Sequence, residues 1–286
     1  TKNKLMLQII FFAIFFGITI IMIPKKHSLP LTSIVSAFNA VFLKMVESVM
    51  LAAPFFVFAL LAGVVSKMAG DDIGKVVEIF KGLSWYSLTV LAGLLLMIFV
   101  AYPLILKLFV KKIPYTGFFK SMSPAQTLAF STSSSAATLP VTMECVEDNL
   151  GVDKKVTSFV LPIGATVNMD GTCLYQAVAV VFLAQLHMID LTLGQQLTIV
   201  LTATLASIGS AAVPSAGLVM LIIVLESVGL NPAWIGIIFP VDRILDMCRT
   251  VVNVTGDATV SSVIAKGEGL FNYNPNKAPD ETFDIE

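Results

Sequence analysis

The two arginines of this chain, Arg243 and Arg249, lie in one apolar segment with Asp242, Asp246, Asn253 and Asp257. Arginine presents a planar fork that grips a carboxylate at two points, which a lysine ammonium cannot do. Asp246 beside it suits an ammonium. Together they offer what an amino acid with an acidic side chain requires. Spacing strengthens the reading. On a helix with Asp246 at 0°, Asp242 falls near about −40°, Arg249 about −60°, Asn253 about −20° and Asp257 about +20°, with Arg243 off the face at about +60°. Asp246 and Arg249 at i, i+3 would pair in any helix, but Asn253 and Asp257 extend the stripe without serving an arginine.

A second polar run, Asn168-Met169-Asp170-Gly171-Thr172, adds another carboxylate. Asp170, Asp242, Asp246 and Asp257 outnumber Arg243 and Arg249 by two, if all are ionised. Buried carboxylates must protonate or find cations. Carboxylates, amide oxygens and freed backbone carbonyls suit a hard cation such as sodium. Proton coupling through a protonated aspartate is the competing account.

The elements that must hold these groups are apolar. Of the 286 residues 56% are hydrophobic and 13% charged, and mean hydropathy is +0.88. Leu5 to Ile23, Gly82 to Leu106 and Leu191 to Leu225 carry no charge, and a bilayer core is crossed by about 20 apolar residues. These features exclude a soluble domain and predict an all-α, multi-pass membrane protein in contact with lipid. The net charge of −1 gives no sign of a nucleic-acid partner, and none is expected. The three cysteines, Cys145, Cys173 and Cys248, show no zinc or redox spacing and imply no disulfide framework. The N-terminus lacks a Met and a signal-peptide pattern and reads as a cut within a longer protein.

Apolar blocks fall at about 5–23, 32–66, 82–107, 117–148, 156–189 and 191–265, the last to be split, with turns at Pro24-Lys25-Lys26, Ala69-Gly70-Asp71-Asp72 and Lys111-Lys112-Ile113-Pro114. Lys25, Lys26, Lys107, Lys111, Lys112, Lys120, Lys154, Lys155, Lys266 and Lys277 mark one side as cytoplasmic, the C-terminus with it. Lys107–Lys120 and Lys154–Lys155 then share a side although block 117–148 separates them. A re-entrant hairpin satisfies that parity. Leu191–Leu225 reads as a second hairpin from the opposite side, bent between Ser207 and Pro214. Each hairpin is followed by a span with a polar interruption, at 168–172 and at 253–257. Hairpin plus interrupted helix, occurring twice with opposite polarity, predicts inverted repeats around a midplane site, as in secondary transporters. The hairpin tips, Ser131-Thr132-Ser133-Ser134-Ser135 and Ser207 to Gly217, are short polar or small-residue runs inside apolar flanks; small residues packing helices closely would explain one such run but less readily two in corresponding positions.

These motifs resemble the glutamate transporter family, which comprises excitatory amino acid transporters, neutral amino acid exchangers and prokaryotic sodium-coupled aspartate or glutamate symporters. The resemblance rests on Ser133-Ser134-Ser135-Ala136-Ala137-Thr138-Leu139-Pro140, Asn168-Met169-Asp170-Gly171-Thr172, and Asp246-Met247-Cys248-Arg249-Thr250 through Asn253-Val254-Thr255-Gly256-Asp257, and covers about residues 5–268. It implies a homotrimer in the plasma or inner membrane and elevator-type movement. Residues 1–68 would be part of the trimerisation scaffold (the end of span four, and span five). Residues 72–268 would be the transport domain (span six, hairpin one, span seven, hairpin two, span eight), and 269–286 a polar cytoplasmic tail. The first three spans have no counterpart here. Arg249 would hold the substrate side-chain carboxylate and Asp246 its ammonium. Asn253, Thr172, Ser135, Ser133, Thr250 and the backbone around Val213 and Gly217 would line the rest. Sodium, with no organic cofactor, would use Asp257, Asn253, Gly164 and Asn168 at one site. The carbonyls of Thr166, Ser207, Ile208 and Ser210 would supply a second, and Met169 is counted with the sodium-binding residues. Asn168 and Asp170, with one of the absent spans, would supply a third.

Ser133 stands where some prokaryotic members carry an arginine, and Met247 where the animal transporters carry a second one. Arg249 favours an acidic substrate over the neutral amino acid exchange of some relatives. Asp257 favours sodium over the proton coupling of glutamate or C4-dicarboxylate symporters. A transporter, not an enzyme, is expected: an intramembrane aspartyl protease would need a Gly-x-Gly-Asp segment, and Asp257 sits in Val-Thr-Gly-Asp. A channel and a purely structural fragment complete the alternatives.

Overall fold

Where a chain this apolar has no water to bond, its backbone must satisfy itself, and it does so as helix. The computed structural model describes residues 12, 15–69, 72–111 and 113–274, and among these the only β-pairing is a single bridge between Val152 and Phe271. The all-α expectation holds. The start of the block at 5–23 and the end of the tail lie outside the described residues.

The chain divides into two units, residues 1–59 and 60–286. In the first, residues 15–22 are helical, a bend at Ile23 precedes Pro24, and helix α1 (Lys25–Ala69) begins. Phe38, Phe42, Phe55 and Phe58 on α1 are exposed.

The second unit holds the remaining helices. Helix α2 (Ile73–Leu96) is capped by Asp72, whose side chain accepts from Gly74 N at 2.8 Å. It continues through π-helical turns at Met97–Ala101 and Leu106–Val110 on either side of Tyr102–Ile105, and ends at Lys111 in a left-handed conformation. Pro103, which has no N–H to give, sits at the change of register. Helix α3 (Tyr115–Thr132) and α4 (Ser135–Glu144, prolonged by a π turn to Asn149) pack together as a hairpin. Asn149 Nδ2 donates to Ser121 O at 3.3 Å and ties their far ends. Ser133 makes the turn at φ 55°, and Ser134 caps α4 by accepting from Ala137 N. Helices α5 (Lys154–Val167) and α6 (Asp170–Leu186) are separated by non-helical Asn168 and Met169, which is the first interruption the sequence predicts. Helix α7 (Leu193–Ile208) starts with a Thr192/Gln195 capping box and packs against α8 (Ala216–Ser227), the bend between them covering 209–215. Helix α9 (Ile235–Gly267) runs among α2, α3, α5 and α6.

The second predicted interruption is not there. Asn253-Val254-Thr255-Gly256-Asp257 continues α9 without a break. Its polar groups are satisfied sideways instead of by opening the backbone. Thr255 Oγ1 returns a hydrogen bond to Val251 O, Gln126 Nε2 donates to Thr255 Oγ1, and Asn168 Nδ2 donates to Asp257 Oδ1. Gly256 is present for close approach: a Cβ there would lie 2.8 Å from Tyr102 Oη and 2.9 Å from Asn168 Nδ2. Among the described residues, therefore, one of the two predicted interruptions is present and the other is not.

Two helical stretches, Val76–Val110 and Lys154–Leu186, are long and apolar enough to cross a membrane. Only 22% of the hydrophobic window in the first is buried, against 50% in the second, so the first turns most of its side chains outward. A compact apolar cluster of Phe118, Met122, Cys145, Val146, Leu150 and Leu161 packs one end of α9 through Val254 and Ala258.

Candidate functional site

Helix α9 places its polar stripe inward: Asp242, Asp246, Arg249, Asn253 and Asp257 are all buried. Arg249 Nε donates to Asp246 Oδ1 at 2.7 Å, and Nη1 lies 3.5 Å from Asp242 Oδ1. The guanidinium carbon rests 4.3 Å from the centre of the Tyr175 ring on α6. A desolvated cation over an aromatic face gains up to about 2 kcal/mol. Removing one partner of a buried ion pair costs about 3–5 kcal/mol, because the other charge is stranded. Arg249 Nη1 nevertheless has no hydrogen-bond partner among the described residues, and neither does Ser133 Oγ.

Both polar bends meet this helix. Ser134 Oγ donates to Ala212 O at 2.6 Å, which joins the α3–α4 bend to the α7–α8 bend. Ser215, left-handed at φ 58°, directs its backbone N–H to Asp246 Oδ2 at 2.7 Å. Between bends, α6 and α9 lies a small cavity of about 10 Å³, lined by Ser133, Ser135, Thr172, Val213, Gly217, Asp246, Arg249, Thr250 and Asn253, with Met169 and Ser210. All nine residues expected to face a substrate thus share one cavity. That volume is enough for about one water, so nothing larger is accommodated with the lining as it stands.

Asn253 cross-links the site, its Oδ1 accepting from Gly171 N at 2.8 Å and its Nδ2 donating to Thr172 Oγ1 at 3.3 Å. Gln176 Nε2 donates to Gly217 O at 2.9 Å, fixing the start of α8. Thr250 Oγ1 turns back to Asp246 O and braces the helix.

The residues expected to hold cations are only partly brought together. Asp257 Oδ1 accepts from Asn168 Nδ2 at 2.9 Å, and a Cβ on Gly164 would lie 2.5 Å from the same oxygen, so Gly164, Asn168 and Asp257 are neighbours. Asn253 faces Gly171 and Thr172. Asp170 Oδ2 lies 3.0 Å from the Tyr102 hydroxyl, which is also 3.2 Å from Val252 O. Ser207 and Ser210 are buried and share a turn through Ser210 N to Ser207 O. Ile208 is exposed, Thr166 is exposed with its hydroxyl turned to Ile163 O, and no described hydrogen bond joins Thr166 to that turn.

Several participants were not singled out from sequence. Tyr175 and Gln176 follow Thr172 at i+3 and i+4, which puts all three on one face of α6; that spacing was available as a signal. Tyr102 carried none, being 68 residues from Asp170. Ser215 and Ala212 act through backbone groups that every residue type shares.

Apolar helices, two stretches of which are long enough to cross a membrane, thus fold around a buried, charged cavity at two bends and a helix break. The sequence matches the profile of the sodium:dicarboxylate symporter family over residues 1–267, and the chain belongs to that family. It is 42% identical over 264 residues to an excitatory amino acid transporter of Caenorhabditis elegans, covering 92% of this chain and 51% of that protein. It is 45% identical over 260 residues to human excitatory amino acid transporter 3, covering 91% and 48%. To excitatory amino acid transporter 1 of Rattus norvegicus it is 43% identical over 240 residues, covering 84% and 43%. The chain spans about half the length of the curated relatives it matches.

Proposed function

We propose that this chain carries the substrate- and sodium-binding part of a symporter that couples the transport of aspartate or glutamate to a sodium gradient. The observation that carries the reading is Arg249. Its guanidinium is buried, held on one edge by Asp246 and on one face by Tyr175, and its Nη1, paired at 3.5 Å with Asp242 but without a hydrogen bond among the described residues, stands at a cavity that also contains Asp246. A side-chain carboxylate meets the guanidinium. Asp246, released from Ser215 N, takes the ammonium, while Thr172, Asn253, Thr250, Ser133, Ser135 and the backbone near Val213 and Gly217 complete the shell. Four buried or half-buried aspartates, 170, 242, 246 and 257, support cation binding around Asp257, Asn168 and Gly164, and around Asp170. The family description, a sodium:dicarboxylate symporter, supports sodium as that cation. The names of the relatives support an amino acid as cargo.

In this reading the α3–α4 and α7–α8 pairs are re-entrant hairpins of an inverted repeat, and the second is the outer gate. Residues 72–268 form a transport domain that moves as an elevator against a trimeric scaffold containing residues 1–68, with the tail in the cytoplasm. The test is uptake of radiolabelled aspartate by proteoliposomes holding the full-length protein. Uptake requires inward sodium and stops when sodium is replaced by potassium or choline. Equal uptake driven by a pH gradient alone would overturn sodium coupling. Arg249→Cys should weaken aspartate about 30-fold or more, as truncating a buried, hydrogen-bonded charge costs at least about 2 kcal/mol, and should admit serine. Undiminished aspartate affinity would refute the carboxylate role.

A further inference from the structure

The guanidinium of Arg249 does not lie on Tyr175 alone. Behind Tyr175 stands Tyr86 from α2, with ring centroids 6.4 Å apart and planes tilted by 59°. On Tyr86 rests Phe182 of α6, centroids 4.9 Å apart and planes within 24°. The result is a row, Phe182–Tyr86–Tyr175–Arg249, whose two tyrosines are 2% and 0% exposed. A ring with neighbours on both sides is confined to a narrow range of tilt, and the confinement passes to the next ring through edge and face contacts. The two tyrosine hydroxyls make no hydrogen bond among the described residues. The row is held by ring contact, with the Tyr86 hydroxyl near Tyr175 and the Tyr175 hydroxyl near Asp242 but neither in hydrogen-bond geometry.

We propose that Tyr86 is a positioning residue for substrate: through Tyr175 it fixes the plane in which Arg249 presents its fork, and so it sets affinity for the side-chain carboxylate. Tyr86 does not line the cavity. It belongs to a helix that otherwise contributes nothing to the substrate shell, which is why a search for polar residues near the arginine passes over it. A two-point grip on a carboxylate depends on coplanarity, so a tilted guanidinium loses affinity for the acidic group while the rest of the site is unaltered. This inference rests on the proposed acidic-substrate role of Arg249.

The experiment measures aspartate KM, maximal uptake rate and the sodium concentration giving half-maximal uptake, in proteoliposomes of the full-length protein. Tyr86→Leu keeps bulk but removes the ring, and should raise KM about fivefold, with maximal rate and sodium half-activation within twofold of wild type. Tyr86→Phe keeps the ring and sheds an unbonded hydroxyl, and should restore KM to within twofold. A merely structural loss would move maximal rate and sodium half-activation as much as KM. That result, or an unchanged KM in Tyr86→Leu, overturns the proposal. If Tyr86→Leu does not fold, Phe182→Leu decides: it should raise KM in the same direction by a smaller factor, and an unchanged KM there refutes the row. Arg249→Cys in the same assay separates the two levels. If it leaves KM unchanged the acidic-substrate reading fails, whereas a large effect there with none from Tyr86 or Phe182 defeats this inference alone.

Discussion

At the scale of single residues, the proposed cation site depends on how closely helices α5 and α9 approach. Gly164 is the clearest case, because a methyl group at its Cβ position would stand 2.5 Å from Asp257 Oδ1 and 3.0 Å from its carboxylate carbon. Asp257 cannot retreat freely, since Asn168 Nδ2 holds the same oxygen. Gly164→Ala should therefore displace the carboxylate from its place beside Gly164 and Asn168. Sodium half-activation of aspartate uptake should rise about tenfold, the equivalent of about 1.4 kcal/mol, with the maximal rate at saturating sodium within twofold. Gly194→Ala, where no atom lies within 4 Å, is the control and should change neither quantity. A sodium dependence unaltered by Gly164→Ala would remove Asp257 from the proposed ion site.

At the scale of elements, α9 combines two properties that sequence reading sets in opposition: a dense polar run and an unbroken helix. Amide exchange distinguishes them. The N–H groups of 250–260 should exchange no faster than those of 242–249, because each keeps its i→i−4 partner in a continuous helix. A fast-exchanging window centred on Gly256 would restore the interrupted helix. The polar stripe itself was legible, since a period of 3.6 residues places Asp242, Asp246, Arg249 and Asn253 on one face whatever the rest of the fold. The bends at 133–134 and 209–215 were legible too, as small polar runs inside apolar flanks. The run at 253–257 was misread because polar residues and a glycine within a span look alike whether they open the backbone or receive neighbouring side chains. Only the approach of Tyr102 and Asn168 to Gly256 tells the two apart, and that is tertiary information. Ser134, expected only as part of a bend, proved to join both bends through Ala212 O. Its partner is a backbone carbonyl, and no pattern of residue types marks a carbonyl as a partner.

At the scale of the whole molecule, the distribution of exposed apolar side chains sets which helices meet lipid. The stretch Val76–Val110 has 35 residues, a length of about 52 Å as helix. A hydrocarbon core of about 30 Å requires it to tilt or to protrude. Its outward face carries Trp85, 64% exposed, and Leu88, Leu95, Leu96 and Phe99. The other tryptophan, Trp234, lies just before α9 and stacks on His187 with ring centroids 3.5 Å apart. His187 ends α6, so this stack joins the two feet of the α7–α8 pair at the edge of the apolar region. Two tryptophans in opposite settings make the membrane placement measurable in single-tryptophan forms of the full-length protein. With Trp234→Phe, emission from Trp85 should be quenched by lipids brominated on their acyl chains and little affected by iodide. With Trp85→Phe, emission from Trp234 should respond to iodide and little to the brominated chains. Trp85, nine residues past Val76, lies about 14 Å along the helix axis, so bromines deep in the acyl chain should quench it more strongly than those near the headgroup. Iodide quenching of Trp85 would mean that this face of α2 meets water, and the spanning assignment of Val76–Val110 would then fail, whatever the chemistry of the cavity behind it.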